Sequence, residues 1–408
     1  MKKIFKIISL ILVILMISST YVACSEASEN AESGINTDKE GEQMTEKPTE
    51  KPTEKPTQKP TEKPNKPEDD GREKINLGEH YEKIKTLGRS LIDANGIICD
   101  HSAAGIEFCG TMVGDVEIEI VTSGVKAGCN YTYFTVYIDG VRQNKRFSTT
   151  VGPDTIKIAS FEQEGEHTIA IVKQTESNYT CLEIKNIIMN GTLNDAPANK
   201  ELFIEFIGDS LTCGMGNIGV NSSPDPQTPM WEDATQSYGY MIAEDLDADY
   251  SIVSQSGIGI AGSWFDPLFD FYTKASYSRN KQEEHPFFLR TPDLIVINLG
   301  TNDYYLNKDK DPNMCKPAEV EQKTEEFIEL VRSSYGKDIP IVWAYGFVGT
   351  FLYDNIKAAI DKLGGENAGI YMCAVPSNTG GAQWHPNVSG HRAAADALLP
   401  LIRNILDK

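Results

Sequence analysis

Between about Ile75 and Gly191 apolar and polar residues alternate with a period of two. GDVEIEIVTSG, YTYFTVYIDGV, DTIKIASF, HTIAIVKQT and CLEIKNIIMNG each place their apolar side chains on one face of an extended chain. Turn residues separate these runs. Asp139-Gly140, flanked by alternating positions, signals a two-residue hairpin, whose turn needs positive φ at both central residues. Several short strands at this spacing predict an all-β, jelly-roll-like antiparallel sandwich over residues 75–195.

After Asn199 the rhythm changes. Continuous apolar runs (LFIEFIG, YSIVSQSG, DLIVINLG, IPIVWAYGF, GIYMCAV) alternate with helical patterns (YGYMIAEDL, VEQKTEEFIELVRSSYG, DNIKAAIDKLGG, SGHRAAADALLPLIRNIL). Strands buried on both faces read this way, and alternating strand and helix predicts a parallel sheet covered on both sides. Residues 200–408 are therefore expected to form a three-layer α/β/α domain. In such open sheets the site lies outside the carboxyl ends of the strands.

The first 74 residues build no core. Lys2 and Lys3 precede an apolar run from Ile7 to Met16, long enough for a secretory signal and short for a membrane span. An uncut anchor is the alternative. Ala23-Cys24 resembles the lipobox of bacterial lipoproteins, which implies cleavage and lipidation at Cys24, although Tyr21 stands where Leu is usual. Residues 25–74 read as a disordered linker, with KPTE repeats from Lys47 to Pro67. Proline at every fourth position disfavours helix and sheet. At about 3.1 Å per residue the repeat would reach roughly 65 Å, which suits a protein working through a cell wall; a linker of no particular purpose is the alternative.

The net charge of −21 excludes a polyanion partner, since no basic stripe is present to meet phosphates, and no nucleic acid is expected. With Cys24 given to lipid, seven of the eight cysteines remain. Their odd number argues against a full disulfide framework and leaves room for one or two bridges. CxxC and HExxH spacings do not occur, and no metal or cofactor is implied.

Three predicted strands end in residues suited to acyl transfer: FIGDSLT with Ser210, SQSGIG with Gly257, and NLGTND with Asn302. His385 lies near the last predicted helix, in WHP. A serine needs a base to become a nucleophile. The oxyanion it generates needs prearranged donors, here the Ser210 and Gly257 N–H groups and the Asn302 amide. GDSLT, SGIG, GTND and WHP, in this order from Glu201 onward, resemble the four blocks of SGNH (GDSL-type) hydrolases. The resemblance implies Ser210 as nucleophile, Gly257 and Asn302 in the oxyanion hole and His385 as base.

A sandwich followed by such a domain further resembles carbohydrate esterase family 2, whose members deacetylate plant polysaccharides. In that family the acid, when present, lies two residues before the histidine. This chain has Gln383 there, and Ala382 where a DxxH enzyme would carry its acid. The resemblance then implies a serine–histidine dyad, with either a backbone carbonyl or the Gln383 side-chain oxygen holding the ring. Asp209 and Asp303 read as turn-shaping residues, and His391 as structural, with Ser389 as the expected cap of the last helix. Cys213 reads as a small buried residue, and His101 and His167 as surface or structural. Trp384 is expected to contact sugar, and Trp231 and Trp264 fall in loops on the same side.

The reading that follows is a lipid-anchored, extracellular O-acetyl esterase acting on acetylated polysaccharide such as xylan or glucomannan. A non-catalytic carbohydrate-binding protein, or an esterase of the same fold acting on peptidoglycan or lipid esters, is the alternative. Because the tether carries no core-forming pattern, a chain lacking the residues before about Ile75 is expected to be soluble and to keep full activity on a soluble ester. Precipitation or lost turnover in the truncated protein would show that the tether packs on the body.

Overall fold

The computed structural model describes residues 71–125, 129–225, 228–264, 268–278, 280–306, 315–336 and 338–407. The expected signal, the lipobox with Cys24 and the KPTE tether lie outside them. Ten strands form the first domain: β1 (Glu73–Asn76), β2 (Ile84–Leu87), β3 (Ser90–Asp93), β4 (Gly96–Cys99), β5 (Gly105–Gly124), β6 (Tyr131–Ile138), β7 (Val141–Arg142), β8 (Phe147–Thr150), β9 (Gly152–Lys173) and β10 (Thr180–Leu193). The order is β3-β4-β10-β5-β9-β6-β7, with β1 on β10, β2 on β5 and β8 on β6. Register slips in β5 and β10 bend these long strands, so a continuous antiparallel sheet closes on itself as a sandwich. Ile106, Phe108, Ile118, Phe134, Ile171 and Ile184 supply its core from alternating positions. Asp139 and Gly140 take φ of 51° and 76° between paired Ile138 and Val141, as the hairpin signal requires. The sheet begins at Glu73, paired with Met189, two residues ahead of the expected boundary.

The second domain carries β11 (Leu202–Gly208), α1 (Ser210–Cys213), α2 (Tyr238–Asp245), β12 (Ala248–Ser254), α3 (Leu268–Thr273), a small hairpin of β13 (Lys274–Ser276) and β14 (Asn280–Glu284), and β15 (Leu294–Asn298). It continues with α4 (Thr301–Leu306), α5 (Pro317–Tyr335), β16 (Ile341–Tyr345), α6 (Tyr353–Lys362), β17 (Ile370–Ala374) and α7 (Val388–Leu406). The parallel sheet runs β12-β11-β15-β16-β17. Successive strand residues feed opposite cores, Phe206 and Ile252 one, Ile207 and Val253 the other. The chain leaves β11 for β12 on one side and returns to β15 on the other. That reversal opens a crevice beyond the ends of β11 and β15.

Seven cysteines are described, and among the described residues no disulfide joins them, so the bridges for which the sequence left room are not formed there. The domains are joined by a buried ion pair. Arg89, between β2 and β3, reaches Glu205 of β11 at 3.1 Å, and neither side chain is exposed to solvent. Its other terminal nitrogen, Nη1, donates to the Tyr272 and Lys274 carbonyls. Glu205 also accepts the Tyr272 and Tyr335 hydroxyls at 3.0 and 3.1 Å. Removing one partner strands a charge in a dry seam, which costs about 3–5 kcal/mol. Arg89→Met is therefore expected to lower unfolding free energy by that amount in a denaturant titration, and the double variant with Glu205→Gln to recover much of it. Equal losses in the single and double variants would show that packing, not charge, is at stake.

Candidate active site

The nucleophile turn is built by sequence. Gly208 ends β11 where a Cβ would lie 2.0 Å from Thr212 Oγ1, so only glycine lets α1 fold back across the strand end. Asp209 caps α1 by accepting the Leu211 N–H at 3.0 Å, and Gly214, with φ of 79°, stops the helix after one turn. Ser210 is the first helical residue, so its N–H has no intrahelical acceptor and is available to a ligand.

Ser210 Oγ lies 2.9 Å from His385 Nε2. On the far side of the ring, Nδ1 lies 3.1 Å from the backbone carbonyl of Gln383. A carbonyl only accepts, so Nδ1 carries the proton and Nε2 is left to accept from the serine. Of the two orienting groups open in the sequence, the structure presents the backbone carbonyl. It does so through left-handed backbone at Gln383 and Trp384, with φ of 52° and 62°, which curls the chain until the carbonyl faces the ring two residues on. Such conformations cost roughly 1–2 kcal/mol each for L-residues. Hydrogen bonds hold the curl: Gly381 N–H to His385 O, Ala382 N–H to Gly216 O, and Trp384 N–H to Asn221 Oδ1 at 2.6 Å. Burial depresses the His385 pKa below its ordinary value, opposed by the Gln383 carbonyl.

On the oxyanion side, Gly257 follows β12 with φ of 83°, and its carbonyl accepts the Trp264 N–H and the Ser263 hydroxyl. Asp303 anchors the rest of this loop by accepting the Ile260, Ala261 and Gly262 N–H groups at 2.8, 2.7 and 3.0 Å. Asn302 is brought to the same crevice, but its amide donates to Asp209 at 3.2 Å and to the Ile258 carbonyl at 2.7 Å. An oxyanion would have to draw one of these hydrogens away. Burial pushes the Asp209 carboxyl up to about 7.

The remaining candidates fall into place around this centre. His391 is buried and accepts the Tyr238 N–H through Nδ1, with burial pushing its pKa down to about 3. The cap of α7 is Asn387, which accepts the Gly390 N–H; Ser389, the expected cap, instead donates its hydroxyl to Asn387. Helix α7 begins at Val388, two residues earlier than a cap at Ser389 would start it, which moves Ser389 into its first turn. His101 is buried edge-on to Phe271, and His167 stacks on Phe161 and bonds Asp139. Trp384 and Trp264 are exposed by 57% and 50%, whereas Trp231 is partly buried with its indole N–H on the Pro224 carbonyl.

Sequence reasoning missed the sandwich residues that enter this region. Arg146 donates to Gln174 and to the carbonyls of Pro229, Met230 and Glu232, and Glu176 and Asn178 reach the loop before Gly257. Their period-two surroundings carry no sign of this. Glu176, Cys213 and Glu232 also gather ligand-type atoms within 4.8 Å of one another. Burial pushes Cys213 and Glu232 well toward their protonated forms, which are poor metal ligands.

Residues 204–398 match the family model of GDSL-like lipases/acylhydrolases, and residues 99–197 that of the carbohydrate esterase 2 N-terminal domain. The cellulase/esterase CelE of Acetivibrio thermocellus is 28% identical over 77% of this chain, which spans 38% of that protein's length. An acetylxylan esterase/glucomannan deacetylase of Cellvibrio japonicus is 27% identical, over 62% of this chain and 71% of that protein. Among solved structures, a family two carbohydrate esterase from Clostridium thermocellum in complex with cellohexaose superposes with a TM-score of 0.70 at 27% identity, covering 79% of this chain and 99% of that one. An acetyl xylan esterase from Butyrivibrio proteoclasticus shares the fold, with a TM-score of 0.71 at 24% identity over 82% and 99% of the two chains.

The geometry fixes a pH response. A base acts when unprotonated, so kcat/KM on a small acetyl ester is expected to rise with pH through a midpoint below 6.5 and level off above it. Gln383→Ala keeps the carbonyl and is expected to cost less than about tenfold. Gln383→Asp is expected to move the midpoint upward, because a carboxylate stabilises the imidazolium. A loss well above tenfold in Gln383→Ala would transfer the orienting role to the side chain.

Proposed function

We propose that this chain, whose first domain matches the carbohydrate esterase 2 N-terminal model and whose second matches that of GDSL-like lipases/acylhydrolases, is a family 2 carbohydrate esterase that removes O-linked acetyl groups from plant cell-wall polysaccharides such as xylan or glucomannan. The observation that carries the reading is the Ser210–His385–Gln383 carbonyl chain at the strand ends. Ser210 Oγ attacks the acetyl carbonyl carbon while His385 Nε2 takes its proton. The oxyanion is met by the Ser210 and Gly257 N–H groups and by the Asn302 amide. His385 then gives the proton to the departing sugar oxygen, leaving acetyl-Ser210. Water, deprotonated by His385, releases acetate and restores the serine.

The substrate class is supported by the relatives. The Cellvibrio protein is named for acetylxylan and glucomannan, and the Clostridium structure holds cellohexaose. The exposed Trp384, beside the base, offers an apolar face on which a sugar ring stacks. We place the enzyme outside the cell on a lipid anchor at Cys24, a reading supported by the basic and apolar leader, Ala23-Cys24 and the KPTE tether.

Ser210→Ala is expected to abolish hydrolysis of p-nitrophenyl acetate and of acetylated xylan without changing the melting temperature materially. Retention of more than a few per cent of the wild-type rate rejects Ser210 as nucleophile. An inert wild type that still binds the polysaccharide would establish the non-catalytic alternative. Release of acetate from peptidoglycan but not from xylan or glucomannan would reassign the substrate.

A further inference from the structure

The loop joining β9 to β10, residues 174–179, belongs to the sandwich domain, yet it grips the two residues that precede Gly257. Asn178 Nδ2 donates to the Ser256 carbonyl at 3.2 Å. Its Oδ1 accepts from Gln255 Nε2 at 2.5 Å. A carbonyl cannot donate, so this pairing also fixes which way the Asn178 amide faces. Glu176 Oε2 accepts the Ser256 N–H at 2.6 Å. The Ser256 carbonyl and the Gly257 N–H belong to one planar trans peptide and point in opposite directions. Holding the one therefore aims the other.

We propose that Asn178 and Glu176 are positioning residues, through which the sandwich domain sets the Gly257 N–H for the oxyanion. The inference rests on the esterase reading above. Without this clamp the plane before Gly257 could rotate, because a glycine with φ of 83° has little steric reason to stay put. The clamp itself is anchored. Lys173, fully buried at the end of β9, donates to the carbonyls of Asp100, Thr175 and Glu176 at 2.8, 2.6 and 3.2 Å. The Thr175 hydroxyl is bonded to that of Thr132 at 2.8 Å. A rigid strand end thus carries two side chains to the neighbouring domain's catalytic loop.

Preorganised donors act because they need not reorganise during reaction, and losing one outright costs about 10²–10³ in kcat. Loosening one is expected to cost part of that. Asn178→Ala should lower kcat on p-nitrophenyl acetate about tenfold while KM stays within about twofold. Glu176→Gln keeps an acceptor for the Ser256 N–H and should retain most of the activity that Glu176→Ala loses. Ser177→Ala, in the same loop but without a part in the clamp, should match wild type. In amide hydrogen exchange on the full chain, Asn178→Ala should speed exchange across residues 255–261 and leave the β11 and β15 segments unchanged.

An unchanged kcat in Asn178→Ala, or a rise in KM alone, overturns the proposal. So does unchanged exchange at 255–261, a readout that stands even if the wild type hydrolyses nothing. Ser210-dependent turnover in the wild type with normal turnover in Asn178→Ala would leave the esterase reading intact and sink only this one.

Discussion

A guanidinium and a carboxylate shut away from water persist only where the surfaces around them close completely, because the desolvation of both ions has to be offset by the pair and its hydrogen bonds. Arg89 and Glu205 meet that condition at the seam between sandwich and parallel sheet. The pair ties a sandwich turn to β11, the strand that presents Ser210. Two tyrosine hydroxyls from α3 and α5 complete the carboxylate's shell. Everything built on the end of β11 inherits this fixed relation between domains. Arg142 with Asp233, and Arg146 with the Pro229, Met230 and Glu232 carbonyls, extend the same seam toward the crevice. The sandwich is thus part of the scaffold of the site, with fixed partners in the hydrolase fold.

The site spends conformational strain where a carboxylate is missing. Gln383 and Trp384 both adopt left-handed backbone, a conformation that shape alone does not favour for either residue. Three hydrogen bonds to and around the curl over-determine it, and the return is a carbonyl aimed at Nδ1. The same backbone turns the Trp384 indole outward beside the base. One local distortion therefore serves both the tautomer of His385 and the apolar platform next to it.

Much of this was legible beforehand, because periodicity and glycine carry physical information. Alternation of two in GDVEIEIV and continuous apolarity in DLIVINL separated the two domains, and Gly208 before Ser210 marked a turn that only a missing Cβ permits. Contacts across the seam were not legible. Nothing near Arg89, Glu176 or Asn178 distinguishes them from ordinary loop polar residues, since their partners lie roughly eighty residues or more away in sequence. The α7 cap went to Asn387 instead of Ser389 because both residue types cap well, and the choice rests on where the chain leaves the WHP turn. The direction of the Asn302 amide was equally hidden, as it depends on the buried Asp209 and the Ile258 carbonyl.

Magnitudes indicate where a dyad of this kind draws its power. A hydrogen bond to a charged partner contributes about 1.5–3 kcal/mol and a neutral one about 0.5–1.5. Replacing a carboxylate by a carbonyl behind His385 therefore forgoes on the order of 1 kcal/mol, a factor of five to ten in rate. A single oxyanion donor is worth about 10²–10³. The larger lever lies on the opposite wall, at the Ser210 and Gly257 N–H groups, and there the structure concentrates its constraints. Asp303 holds three successive amides of the loop, and Asn178 and Glu176 hold the two peptides before Gly257. Burial compounds the effect. It keeps His385 neutral, and so able to accept a proton, over a wider range than an imidazole raised by a carboxylate would be. On the proposed esterase reading, a weaker imidazolium and a stiffer oxyanion wall are two sides of one arrangement, in which the peptides before Gly257 are held from the neighbouring domain.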